Sequence, residues 1–145
     1  MIKVGIVYMP HFAGDELSLK YKGDSGFDLP ASIDKDIEIQ AHTHALIPTG
    51  LRFDIPKGYE IQIRSRSGLA NKNGVFVLNS PATIDSEYIG ELFVVLASFE
   101  SAFIVSRGMR IAQAVFQKVP EISFVKLDDI KEKERGNNGL GSSGV

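Results

Sequence analysis

The sequence predicts an all-β domain folded as a barrel or sandwich of the jelly-roll kind, and three observations carry that prediction. The apolar runs are short and mostly β-branched. Several alternate with a period of two, as in YEIQIR, where Tyr59, Ile61 and Ile63 share one face of a strand. Turn signals recur along the chain at Pro48, Gly50, Pro56-Lys57-Gly58, Asn73-Gly74 and Pro81. Many short strands with regular punctuation are the pattern of β-barrels and sandwiches.

Taken in order, IKVGIVYM at the start reads as a strand, and Phe27 and Asp28 lie in a strand-like segment. DIEI, ALIPT, LRFDI, YEIQIR, VFVLN, ELFVVLA, FIVS, IAQAVFQKV and ISFVKL follow as further strands. Ser67 to Lys72 suits a short helical turn, because Leu69, Ala70 and Lys72 favour helix and Asn73-Gly74 ends it. The run DDIKEKE is dense in charge and reads as a solvated connector. From Glu134 onward the chain turns to Gly, Asn and Ser, which divides it into a β-rich domain over 1–134 and a Gly/Ser-rich tail over 135–145.

The length of 145 residues fits one domain. A subunit of this size buries a core with no surplus, so an oligomer interface would supplement it. The formal net charge is -2, from 16 basic and 18 acidic residues, and no basic tract invites nucleic acid. A ligand bearing phosphates must therefore meet local positive groups instead of a global field. The absence of cysteine excludes disulfides and thiolate metal sites. No apolar segment has spanning length and the N-terminus lacks a signal-peptide plan, so the expectation is a soluble cytoplasmic protein with no membrane partner.

Polar and glycine-rich signals gather in five separated clusters: SGFDL (Ser25 to Leu29), RSRSGLA (Arg64 to Ala70), NSPATIDSEYIGE (Asn79 to Glu91), GMRIAQ (Gly108 to Gln113) and RGNNGLGSSG (Arg135 to Gly144). Asp85 reads either as a turn aspartate bonding its own backbone or as a general base that takes a proton from water. Tyr88 by itself is an aromatic packing on a strand. Ser67 before Gly68 is either an ordinary helix N-cap or part of an anion site with the Arg66 guanidinium. Arg64 serves equally well in a surface ion pair. Asp28 needs a partner if buried, and Arg110 can supply it. His42 and His44 are two ligands at most and are taken as solvated. The tail reads as a flexible terminus or as a ligand-ordered flap, whose glycines expose backbone N–H groups while Arg135, Ser142 and Ser143 add phosphate donors.

In this order and with these residue types, the five clusters resemble the trimeric dUTP pyrophosphatase (dUTPase) family over nearly the whole chain. The resemblance implies a β-clip fold in a homotrimer whose three sites each draw residues from all three chains. It implies Mg-dependent hydrolysis of dUTP to dUMP and pyrophosphate, which keeps uracil out of DNA and supplies dUMP for dTMP synthesis. Asp85 would orient water toward the α-phosphorus. Tyr88 would lie against the deoxyribose and leave no room for a 2′-hydroxyl, with Asn79, Thr83, Ile84 and Leu140 around uracil and sugar. Arg66, Ser67, Gly68, Gln113, Arg135, Gly141 and Ser142 would face the phosphates. No direct protein ligand to Mg²⁺ is implied; Asp28 is the one candidate to reach it through water, since Mg²⁺ is commonly held by substrate phosphates and waters.

Uracil selection in such a site needs little side-chain chemistry. N–H and C=O groups facing the base edge match uracil's acceptor–donor–acceptor order, whereas cytosine opposes donor to donor, a buried mismatch that costs several kcal/mol. The chain departs from the family pattern at four positions. Ala82 replaces a glycine and would be strained if the position needs positive φ. Ile89 stands where arginine is common, Glu87 replaces aspartate, and Leu140 replaces the tail aromatic. Two rival readings share the fold: a dCTP deaminase, opposed by Asp85 and the complete tail, and a non-catalytic nucleotide-binding trimer, which Ala82 and Leu140 keep open.

Overall fold

The structure, a computed structural model, describes residues 1–139. Its elements run β1 (Gly5–Tyr8), β2 (Gly26–Pro30), β3 (Ile37–Ile39), β4 (Thr43–Pro48), β5 (Leu51–Asp54), β6 (Tyr59–Arg64), α1 (Ser67–Asn73), β7 (Val75–Val77), β8 (Ala82–Ile84), β9 (Phe93–Ser98), β10 (Phe103–Val105) and β11 (Arg110–Lys118). The strands pair antiparallel throughout. They make a four-stranded sheet in the order β2-β11-β6-β8, a three-stranded sheet β4-β9-β7, and the pairs β1-β5 and β10-β3.

The period-two pattern decides which face of each strand is inside. Ile61 and Ile63 of β6 are fully buried, and Ala112 and Ala114 of β11, Leu29 of β2, Ile47 of β4 and Val94 and Leu96 of β9 join them in one core. Burying each Leu or Ile side chain contributes about 1.5–3 kcal/mol. Phe27, Phe53 and Phe116 close one part of this core, with ring centroids 5.9 to 6.4 Å apart. The intervening residues of β6 form a polar ladder on the other face: Gln62 Nε2 donates to Glu60 Oε1 at 2.7 Å, and Arg64 donates to Gln62 Oε1 at 2.7 Å. Arg64 is thereby occupied on the sheet face.

The chain changes sheets at Thr49-Gly50, between β4 and β5. Gly50 takes φ +68°, and a Cβ there would stand 2.7 Å from the backbone Cα of Phe12. The β4–β5 connection needs glycine for both reasons. The helix ends as the sequence predicts. Gly74 adopts the left-handed conformation and its N–H returns to the Ala70 carbonyl at 3.2 Å.

The structure corrects three expectations. ISFVKL is not a strand: beyond β11 the described chain has no strand, and Ile122, Phe124 and Val125 are exposed. A strand exists only through a partner's hydrogen bonds, and among the described residues this segment meets none. Residues 82–84, absent from the sequence-derived strands, do form one, because β6 supplies the pairing. Ala82 is not at positive φ; it is a buried strand residue opposite Ile63, and among the described residues His42 alone of the non-glycines has positive φ. Its alanine carries no backbone strain.

Candidate active site

Asp28, Gln113 and Arg64 lie in one row across β2, β11 and β6. Just beyond that row, Arg66 closes on Asp28 as a fork, with Nε 2.8 Å from Oδ1 and one terminal nitrogen 3.3 Å from Oδ2. Arg110 reaches the same Oδ2 at 3.3 Å, and Arg66 also donates to the Arg110 carbonyl at 3.0 Å. Two guanidinium groups thus meet one carboxylate, leaving a local excess of positive charge in a chain of net charge -2. Gln113 donates through Nε2 to the Ser65 carbonyl at 2.9 Å, while the Ser65 hydroxyl receives the Val77 N–H at 2.9 Å. Ser65 therefore ties β11, the entry to α1 and β7 together. It lies inside RSRSGLA, yet no local signal marks it, because its task is to join elements distant along the chain.

Ser67 is the first residue of α1 and not its cap. Arg66 holds the N-cap position in extended conformation, with no side-chain cap bond and no acidic residue in the first turn. The first N–H groups of the turn are open, Ser67 and Gly68 are exposed, and a Cβ on Gly68 would meet nothing within 4 Å. Asp28, Arg110 and Gln113 border a cleft of about 860 Å³ whose far wall is the 13–25 segment, including Asp15, Lys20 and Asp24.

The second group lies elsewhere. β8 is the edge strand furthest from β2, so one side of its backbone, through Thr83, has no strand partner among the described residues. Thr83 is exposed and Ile84 half-buried, while Asn79 is exposed on the turn that leads into β8. Asp85 follows β8 and begins a turn closed by the Tyr88 N–H to the Asp85 carbonyl at 3.1 Å. Its carboxylate is exposed and has no hydrogen-bond partner among the described residues, so the self-bonded turn aspartate is not what forms. The Tyr88 hydroxyl donates to the Glu91 carbonyl at 2.6 Å, and its ring lies over Gly90. Ile89 is exposed and its carbonyl receives Arg52 Nε at 2.7 Å.

The two groups do not converge within one chain. Asp85 stands three strand spacings from β2 and four residues along from the Arg64 row, about 14 Å across and about 13 Å along the sheet. A base positioned by hydrogen bonds acts over about 3 Å. Arg135 folds back on its own turn, its Nε donating to the Asn138 carbonyl at 2.8 Å. Leu140, Gly141 and Ser142 lie outside the described residues.

No group of three or more His, Asp or Glu side chains among the described residues is arranged to hold a metal. Both Asp28 oxygens already carry guanidinium donors. That donor set fits a Mg²⁺ that arrives on substrate phosphates and touches the protein through water, not a protein cage. Among the described residues no helix is long and apolar enough to cross a membrane.

Comparison with known proteins gives a single answer. The dUTPase family model matches residues 14–144. The deoxyuridine 5′-triphosphate nucleotidohydrolase of Orientia tsutsugamushi (strain Boryong) is 45% identical over 145 residues, covering 99% of this chain and 98% of that protein. The dUTPase of Staphylococcus bacteriophage 80alpha, solved with dUPNHPP, superposes with a TM-score of 0.86 at 20% identity, covering 100% of both chains. A point mutant of the dUTPase from phage phi11 of S. aureus, described with a structural Mg(II) ion, superposes with a TM-score of 0.77 at 16% identity, covering 90% of this chain and 100% of that one. At such identities the phage proteins establish the shared fold.

Proposed function

The chain belongs to the dUTPase family, and from that premise we propose that it hydrolyses dUTP to dUMP and pyrophosphate in a site assembled between subunits of a homotrimer. The observation that carries the reading is the distance between the two polar groups. On this reading the Asp28–Arg66–Gln113 cluster and the Asp85–Tyr88 turn each hold part of the chemistry, and in one chain they stand about 14 Å apart across the sheet and about 13 Å along it.

The assignment of roles follows from the groups each place offers. The unpaired edge of β8 presents N–H and C=O groups that read the uracil edge, with Asn79, Thr83 and Ile84 beside it. Tyr88 sits against the deoxyribose. Asp85, exposed and unpartnered, accepts a proton from the water that attacks the α-phosphorus in line. Across the interface, Arg66, Ser67, the open N–H of Gly68 and Gln113 bind the phosphates and offset charge building on the leaving pyrophosphate. Arg135 and the residues after it, Leu140, Gly141 and Ser142 included, cover the nucleotide from a further subunit. A Mg²⁺ carried on the substrate phosphates would supply charge neutralisation of the triphosphate, and Asp28 is the carboxylate that would reach it through water.

Trimerisation is supported by apolar surface that one chain leaves uncovered. Leu46 and Phe93 are exposed on the outer face of the β4-β9-β7 sheet, and Phe124 in the C-terminal segment is 95% exposed. We place the protein in the cytoplasm, where its nucleotide substrate is made.

The test is pyrophosphate release from dUTP, dTTP, dCTP and UTP side by side, with and without Mg²⁺. Turnover confined to dUTP and dependent on Mg²⁺ is expected. A trimer that binds dUTP and leaves it intact in Mg²⁺ would overturn the assignment, and ammonia release from dCTP would replace it with deamination.

A further inference from the structure

Glu91 lies six residues beyond Asp85 and is anchored at both ends. Its main-chain carbonyl receives the Tyr88 hydroxyl at 2.6 Å. Its carboxylate, 15% exposed, is held through Oε1 by two donors, the Gly50 N–H at 2.8 Å and His11 Nε2 at 2.7 Å. A carboxylate oxygen cannot donate, so the imidazole nitrogen carries the proton of that bond. Gly50 is a rigid anchor: it is buried, its carbonyl receives the Met9 N–H at 2.8 Å, and the Phe12 backbone leaves no space for a Cβ. His11 is itself held, through its carbonyl, by Arg107 at 3.1 Å. Between Glu91 and Tyr88 lies Gly90, where a Cβ would stand 2.6 Å from the phenolic oxygen and 2.7 Å from Cζ. The ring can occupy its place only over a glycine.

From this arrangement we infer that Glu91 is a positioning residue for sugar selection: its carboxylate, clamped by Gly50 and His11, sets where the Tyr88 ring stands and so how strictly a 2′-hydroxyl is refused. The inference rests on the reading of Tyr88 as the residue against the deoxyribose. It adds to that reading the groups that hold the ring. The acceptor for the tyrosine is a main-chain oxygen, present whatever side chain occupies position 91, so the side chain acts only by fixing where that oxygen lies. Discrimination by exclusion depends on such placement, because a wall that shifts by a fraction of an ångström admits the larger ligand.

The experiment measures kcat and KM for dUTP and UTP in the full-length protein and in four variants, with thermal unfolding recorded for each. Glu91→Ala, which frees the carbonyl from its anchor, is expected to lower the dUTP-to-UTP ratio of kcat/KM at least about tenfold, mainly through the two KM values. Glu91→Gln keeps an oxygen that accepts from Gly50 and His11, and is expected to hold the ratio within about threefold of the parent. Gly90→Ala displaces the ring directly and should lower the ratio even if Glu91→Ala fails to fold. Tyr88→Ala reports on the underlying reading. If Tyr88→Ala and Gly90→Ala lower the ratio but folded Glu91→Ala does not, the positioning role of Glu91 is wrong and the role of Tyr88 stands. If Tyr88→Ala leaves the ratio unchanged, the tyrosine is not the sugar sensor and the inference falls with it.

Discussion

Arg66 grips Asp28 side-on, with its Nε on one carboxylate oxygen and a terminal nitrogen on the other, across a sequence separation of 38 residues. The pair joins the second polar cluster to the first and holds the guanidinium against an aspartate that borders the cleft of about 860 Å³. Arg110 shares the same carboxylate at 3.3 Å.

Asp28→Asn removes the charge that orients two arginines and leaves the fold in place. The pair is about one-third exposed, so the loss of stability should stay near 1 kcal/mol or below. Activity should fall about tenfold or more if Arg66 binds phosphate as proposed, because its guanidinium loses the partner that orients it. Urea unfolding and kcat/KM for dUTP measure the two effects; a large stability loss with normal turnover would make Asp28 scaffold only.

Asp85→Asn keeps the shape of the turn and removes the carboxylate proposed to accept the proton from water. The expected result is a kcat at least about a hundredfold lower with dUTP binding retained. Near-normal turnover would remove Asp85 from the mechanism.

Ala82→Gly tests whether the departure from the family glycine matters. Since Ala82 is a buried residue of β8 and not at positive φ, glycine should destabilise the fold by about 0.5–1 kcal/mol through backbone entropy. A rise in the unfolding midpoint would mean that alanine is strained there.

Phe124→Glu puts a charge on the most exposed aromatic of the C-terminal segment. If this segment packs on a neighbouring subunit, sedimentation will show dissociation and activity will fall with it. A fully active trimer would place the interface elsewhere, and an active monomer would end the shared-site account.

Leu140→Phe restores the aromatic expected in the tail. Base–aromatic stacking contributes about 1–3 kcal/mol, so kcat/KM should rise by roughly tenfold or more. Unchanged constants would show that leucine suffices at that position.

Where local chemistry decides, the amino-acid order was sufficient to read. Asn73-Gly74 ends the helix because glycine alone enters the left-handed region without cost, and Ile61 and Ile63 face inward because strand side chains alternate. The five clusters resemble the dUTPase family in residue type and order, and the family model matches residues 14–144, which span all five. Tertiary structure alone decided which groups meet. Asp28 takes Arg66 as its closest partner, with Arg110 second, and Glu91 finds Gly50 and His11, 41 and 80 residues away. Such pairings depend on how sheets stack and cross, which no local pattern encodes. ISFVKL marks the same boundary from the other side. Its apolar alternation is that of a strand, but a strand needs a hydrogen-bonded neighbour, and the described chain supplies none at that place.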